Sequence, residues 1–392
     1  MSTPTVERTT FRRADLEAVA RRAGARSDEI EQARQLPHDL VDDLIDTGVF
    51  RMWVPQVYGG IETDVAAVLD AIETVAYHDG STGWCVMIGA TSGLVSGFLD
   101  PRWGAHIFGD PRAVTGGFAM PSGAAVPQDG GGLRVTGRWP WGSGTSHCTW
   151  IGGGVLVVDG NGAPAPRADG LRTPYVFFDR DDVEILDTWH VSGMKGTGSN
   201  DYAVTDAFVP EGRWGEFLRA EAAVEGPLYR FSFTGALALG VASVGLGLAR
   251  RALDELAEVA VAKTPFGSSK VLAERQTVQL DAAEADAAIR SSRAFLADVV
   301  GECWAAANAG DPFTDAQRRL LRLAATNAMR RSAEAVDRCY EAAGGSAIWS
   351  SSPLQRCFRD VHVATQHGMV APRTLEPLGR MQLGLPTDVR QL

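Results

Sequence analysis

The spacing of hydrophobic and polar positions divides the chain into three stretches. Residues 14–35 read as one charged helix. Pro37 opens a short amphipathic helix with Leu40, Val41, Leu44 and Ile45 at helical spacing, ending at Thr47-Gly48. A connector rich in turn residues follows over 51–60. Residues 64–78 carry Val65, Val68, Leu69, Ile72, Val75 and Ala76 on one face, with Asp64 as the N-cap. From Gly80-Ser81-Thr82-Gly83-Trp84 to Phe98 the chain is small and apolar nearly all round, which predicts a buried helix.

The pattern changes near Ala113. Runs over 133–141, 149–158, 173–178, 183–186 and 202–209 are strand-like, and glycine-rich turns at 129–132 and 159–162 separate them. This predicts an antiparallel sheet or barrel of roughly 100 residues. After Gly226 the period is helical again, over 233–262, 271–309, 314–345 and from Ser352 to before Pro372. Thr314 with Gln317 forms a capping-box pattern, and Ser352-Pro353 reads as a cap followed by an N1 proline. The expectation is an α+β chain with a helical domain over 1–112, a central antiparallel β-barrel domain over 113–225 and a four-helix bundle over 226–392.

One stretch stands apart. Residues 187–202 join two predicted strands and hold Gly193, Gly196, Gly198, Thr197, Ser199 and Asn200 within eight positions. Such a run favours turns. It is read either as a tight strand connection or as a cradle for a cofactor. It matches neither G-x-G-x-x-G nor a Walker loop, so no nicotinamide or nucleoside triphosphate site is expected.

Composition narrows the classes. The net charge is −11, which argues against nucleic acid or an anionic membrane as partner. Five cysteines lie singly, without a C-x-x-C, which fits buried thiols in a reducing cytoplasm. His362 and His367 are joined by no Cys or carboxylate cluster, so no metal site is expected. Residues 1–25 lack an apolar signal core, and no apolar run reaches bilayer-spanning length.

The order helices, β domain, bundle resembles the acyl-CoA dehydrogenase superfold. Phe266-Gly267 followed by Leu272 and Gln276, Glu341 to Gly345, and Arg359-Asp360 resemble its flavin-contact segments. Within it, several segments are similar to the two-component flavin-dependent monooxygenases: Gly80 to Trp84, Gly137 to Gly144 with His147 and Trp150, Gly196 to Asn200, Arg359-Asp360 with His367, and Gly384-Leu385-Pro386. One dehydrogenase branch keeps its catalytic glutamate where this chain has Gly368, and glycine cannot take a proton. The secosteroid-hydroxylating branch keeps a substrate-side histidine where this chain has Ser92.

The resemblance implies an oxygenase that takes reduced FMN or FAD from a separate NAD(P)H:flavin reductase. Oxygen would add at flavin C4a, and the substrate would be an aromatic or polycyclic small molecule. An amine or amino-sugar N-oxygenase, a dehydrogenase with a relocated base and a non-catalytic flavin-binding protein are the alternatives. It further implies a cytoplasmic homotetramer with flavin sites built across subunits. His367 and Ser143 are the implied catalytic residues. Trp141, Ser143, Thr197, Phe266, Gly344 and Gly345 are implied to bind the flavin, and Trp84, Ser92 and His367 the substrate. On residues alone, His367 equally reads as a histidine packed on a bundle face and Ser143 as a turn serine. His147 reads as structural, and Arg359 and Asp360 as helix-packing and salt-bridge residues.

Overall fold

The computed structural model describes residues 9–216, 221–389 and 392. Helices α1 (Arg13–Ala25), α2 (Ser27–Ala33), α3 (His38–Asp46), α4 (Val65–His78), α5 (Gly80–Ser92) and α6 (Pro101–Phe108) form the N-terminal part. The single helix expected over 14–35 is two, because Arg26 leaves helical geometry with φ −111°. Asp64 caps α4 as expected, accepting from Ala67 N–H at 2.8 Å. Asp79 caps α5 more heavily. Its Oδ1 accepts from the backbone N–H and the hydroxyl of Thr82, both at 2.7 Å, and its Oδ2 accepts from Ser27 Oγ at 2.8 Å. A buried carboxylate with three donors fixes where α5 begins, and so where Trp84 stands.

Strands β1 (Thr115–Pro127), β2 (Leu133–Trp139), β3 (Trp150–Val157), β4 (Tyr175–Asp179), β5 (Glu184–Leu186), β6 (Asp201–Val209) and β7 (Trp214–Gly215) make one seven-stranded sheet in the order β5-β6-β2-β1-β3-β4-β7. The expected antiparallel barrel is therefore corrected to an open, mixed sheet. β3 runs opposite to β2 but lies beside β1, so β1 and β3 are parallel. Edge strands β5 and β7 stay at opposite ends of the order, and among the described residues no strand pairing closes the sheet. β1 escaped sequence reading because it carries three glycines and two prolines and its residues 119–122 are exposed. Those four residues sit at a register shift between Phe118 and Gly123.

After α7 (Pro227–Arg230) come α8 (Phe233–Ala262), α9 (Gln276–Ala309), α10 (Asp315–Ala343), α11 (Pro353–Ala364) and α12 (Leu375–Gln382). The Thr314–Gln317 capping box is present, whereas Ser352 makes no side-chain cap bond. α8 corrects the reading of the apolar runs. An 18-residue window of this 30-residue helix has a mean hydropathy of 1.4, long and apolar enough to cross a bilayer, yet 89% of that window is buried within the protein. It packs against α10, α4, α11 and α5. Gly247 permits the α4 contact, since a Cβ there would lie 2.6 Å from the Glu73 carbonyl oxygen. All five cysteines are buried and free.

Candidate active site

Two loops are zipped together beside the sheet. Gly142 N–H donates to Asn200 O and Gly144 N–H to Thr197 O, both at 2.9 Å. This joins residues 141–144, between β2 and β3, to the glycine-rich connection between β5 and β6. Buried Ser143 is thereby held with its Oγ 2.6 Å from Ser199 Oγ, which is 2.6 Å from Thr197 Oγ1. Thr197 Oγ1 donates to Met194 O at 2.8 Å, and Trp84 Nε1 donates to Ser143 Oγ at 3.0 Å. Met194 N–H in turn donates to Asp360 Oδ1 at 2.5 Å, tying the loop to α11.

Trp84 also meets His367. Their ring centroids are 5.4 Å apart at 72°, an edge-to-face contact. The expected placement of His367 on the fourth helix is corrected: α11 ends at Ala364, and His367 lies in the turn that follows. Its Nδ1 accepts from Met369 N–H at 3.3 Å, which places the single proton of the neutral ring on Nε2 as a donor. Burial, reinforced by the nearby Arg322 guanidinium, pushes its pKa down to about 4, so the imidazole is neutral at physiological pH. Gly368 follows it and carries no acid.

Trp84, Ile88 and Ser92 recur at four-residue intervals on α5, and Ile88 and Ser92 are half-buried. A Cβ on Gly116 of β1 would lie 3.4 Å from Ile88 Cγ2 and 3.3 Å from Ser143 O, so this face of α5 looks onto the start of β1. Trp141 lies on the same side of the sheet. It is held in left-handed geometry at φ 57°, is 61% exposed, and meets Phe118 with centroids 5.7 Å apart. Met120 of the bulge is exposed as well.

The other residues singled out separate from this group. Phe266 is fully exposed, and Gly344 and Gly345 lie at the far end of α10 where an added Cβ would meet almost nothing. Among the described residues no hydrogen bond or ring contact joins them to Ser143, Trp84 or His367. His147 is half-buried behind Gly144, and its inaccessible Nδ1 has no partner among the described residues; desolvation pushes its pKa down to about 4. Arg359 pairs with Glu31 at 2.7 Å, as its packing role implied. Asp360 is more than a packing residue: it anchors the glycine-rich loop, and burial pushes its pKa up to about 7. Ser199 and Arg322 were missed. Ser199 stood within the run 196–200, but only the fold shows that its hydroxyl faces Ser143. A groove of about 580 Å³ between α1, α4, α8 and α9 is unconnected with these groups, and its Arg250, Asp254, Arg293 and Glu73 satisfy one another.

The arrangement suits a flat, partly polar ligand. A shelf of exposed Trp141 and Met120 with half-buried Phe118 borders a buried hydroxyl cluster, and a neutral histidine stands across Trp84. Such a shelf offers a stacking surface to a tricyclic ring, and the cluster offers hydrogen bonds to a ring nitrogen.

Comparison with known proteins agrees with that geometry. Family models for the acyl-CoA dehydrogenase N-terminal and C-terminal domains match residues 5–101 and 239–372. An indole-3-acetate monooxygenase of Pseudomonas putida is 33% identical, over 92% of this chain and 90% of its own length. The flavin-dependent monooxygenase oxygenase subunit HsaA of Mycobacterium tuberculosis is 30% identical, over 92% of each chain. The structure of XiaF from Streptomyces with FADH2 and glycerol superposes with a TM-score of 0.87 at 27% identity, covering 95% of this chain and 96% of that one. The chain belongs to the flavin-dependent monooxygenases built on the acyl-CoA dehydrogenase fold. It is the oxygenase component of such an enzyme and works with reduced flavin.

Proposed function

We propose that this oxygenase hydroxylates an aromatic small molecule bound between α5, the start of β1 and the turn after α11. The observation that carries the reading is the meeting of Ser143, Trp84 and His367, drawn from three separate stretches of chain, through one hydrogen bond and one edge-to-face ring contact. Ser143, Trp141 and Thr197 hold the isoalloxazine. Reduced flavin, when bound, supplies the electrons with which dioxygen is activated for insertion of one oxygen atom. His367, neutral and with Nδ1 taken up by Met369 N–H, carries its proton at Nε2 and donates it in a hydrogen bond to the substrate's polar group or to the oxygen being transferred. Trp84 and Ser92 shape the substrate side. Buried Trp84 and Ser143 exclude water from the inner side of the site.

The flavin comes from a separate NAD(P)H:flavin reductase, consistent with naming of the relatives as oxygenase subunits. Val261, Phe266, Leu280, Ile348 and Trp349 form exposed apolar surface at one end of the bundle, beside Gly344 and Gly345. Such a patch supports a homotetramer in which Phe266 and these glycines complete a neighbouring subunit's flavin site. Free buried thiols suit a cytoplasmic enzyme.

The test mixes anaerobic protein and reduced FMN with oxygenated buffer, with and without an aromatic substrate. His367→Ala should bind reduced flavin normally, consume oxygen, and form product roughly 100-fold more slowly, the typical loss on removing a positioned acid–base group. Normal product formation by His367→Ala would refute the assignment.

A further inference from the structure

The hydroxyls beneath the aromatic shelf form a chain whose direction is fixed at both ends. At one end Trp84 Nε1–H can only donate, and it donates to Ser143 Oγ at 3.0 Å. At the other end the Met194 carbonyl can only accept, and it accepts from Thr197 Oγ1 at 2.8 Å. Each hydroxyl between them has one proton. Thr197, having committed its proton to Met194, must accept from Ser199 across 2.6 Å. Ser199 must then accept from Ser143, again across 2.6 Å. The proton of Ser143 therefore points into the protein, and Ser143 turns only a lone pair towards a ligand on the shelf.

We propose that this directed chain makes Ser143 an acceptor and selects reduced over oxidised flavin, with Ser199 and Thr197 as positioning residues. The inference rests on the reading of Ser143 as the partner of flavin N5. In reduced flavin N5 carries a hydrogen and can donate to the Ser143 lone pair. In oxidised flavin N5 is a bare acceptor and finds no donor. Reversing the chain to supply one would take the Thr197 proton from the Met194 carbonyl. That carbonyl is held in place because Met194 N–H is bound to Asp360 Oδ1 and Trp189 Nε1 donates to its oxygen at 3.0 Å. The penalty is the net worth of one hydrogen bond, about five-fold in affinity.

The experiment measures dissociation constants of the full chain for oxidised FMN and, anaerobically, for chemically reduced FMN. The wild type should favour the reduced form by about five-fold or more. Ser199→Ala and Thr197→Val each free the Ser143 proton to turn towards the ligand, so oxidised FMN should bind more tightly and reduced FMN more weakly. Thr197→Ser retains the hydroxyl and should keep the wild-type ratio, which separates proton direction from folding damage. Equal weakening of both forms in Ser199→Ala and Thr197→Val, or a wild type without preference, overturns the proposal. Should Ser143→Ala leave both affinities unchanged, the placement of flavin at Ser143 fails and the proposal with it. A Ser143→Ala loss combined with an unaltered ratio in the other two variants overturns the directed chain alone.

Discussion

Gly193→Ala tests whether the glycine-rich loop is held by its contact with α11. A Cβ at residue 193 would lie 2.3 Å from the Arg359 carbonyl oxygen and 2.8 Å from Asp360 N, both backbone atoms in a helix that cannot yield locally. Ordinary contact begins at 3.4 Å, so the loop must withdraw by about 1.1 Å. The Met194 N–H to Asp360 bond, 2.5 Å long, would open to about 3.6 Å and cease to be a hydrogen bond. Overpacking costs about 1–3 kcal/mol, and loss of a bond to a buried carboxyl about 1.5 kcal/mol more. The variant should lose about 3 kcal/mol in chemical denaturation and bind reduced flavin less tightly, because Thr197, Ser199 and Ser143 follow the loop. Gly345→Ala is the control: its added Cβ meets nothing within 4 Å, so stability should not change. Wild-type stability and wild-type flavin affinity in Gly193→Ala would show that the loop is held elsewhere.

Other outcomes follow from the same geometry. The folded-state pKa of Asp360, about 7, lies above its ordinary value of 3.8, so its contribution to stability is present at low pH and is lost as pH rises through about 7. Asp360→Asn keeps the acceptor without the charge, and thermal denaturation should show it gaining on the wild type from about pH 5 to about pH 8. Ser92→Leu should raise KM for bulky aromatic substrates with reduced-flavin affinity unchanged, as judged by steady-state kinetics and flavin titration. With its pKa at about 4, His367 should put no ascending limb near pH 6.5 into the kcat profile of product formation.

Much of the fold was legible because the helices advertise themselves. Asp64 and Thr314 cap where the pattern places them, and the faces of α3 and α4 alternate as a 3.6-residue period requires. The sheet was less legible for a definite reason. Its central strand β1 is poor in β-branched residues, and no local signal tells β3 to cross β1 and lie parallel to it. At the site, Ser143, Trp84 and His367 were legible only through motif resemblance, and their meeting depends on contacts between positions far apart in sequence. The hydroxyl of Ser199 was hidden because a serine in a glycine-rich turn has the same local signature whether it faces water or a partner.

α8 has a consequence for how the protein is made. Its apolar surround comes from α4 and α5 on one side and α10 and α11 on the other. α4 leaves the ribosome roughly 150 residues ahead of α8, so the nascent N-terminal helices wait with their inner faces uncovered through synthesis of the entire sheet. A chain cut near residue 226 would leave α8, in the C-terminal piece, without the wall that α4 and α5 supply, and that piece should aggregate when expressed alone. Three segments drawn from sequence thus mature as one cooperative body, with assembly paced by the last helices to emerge.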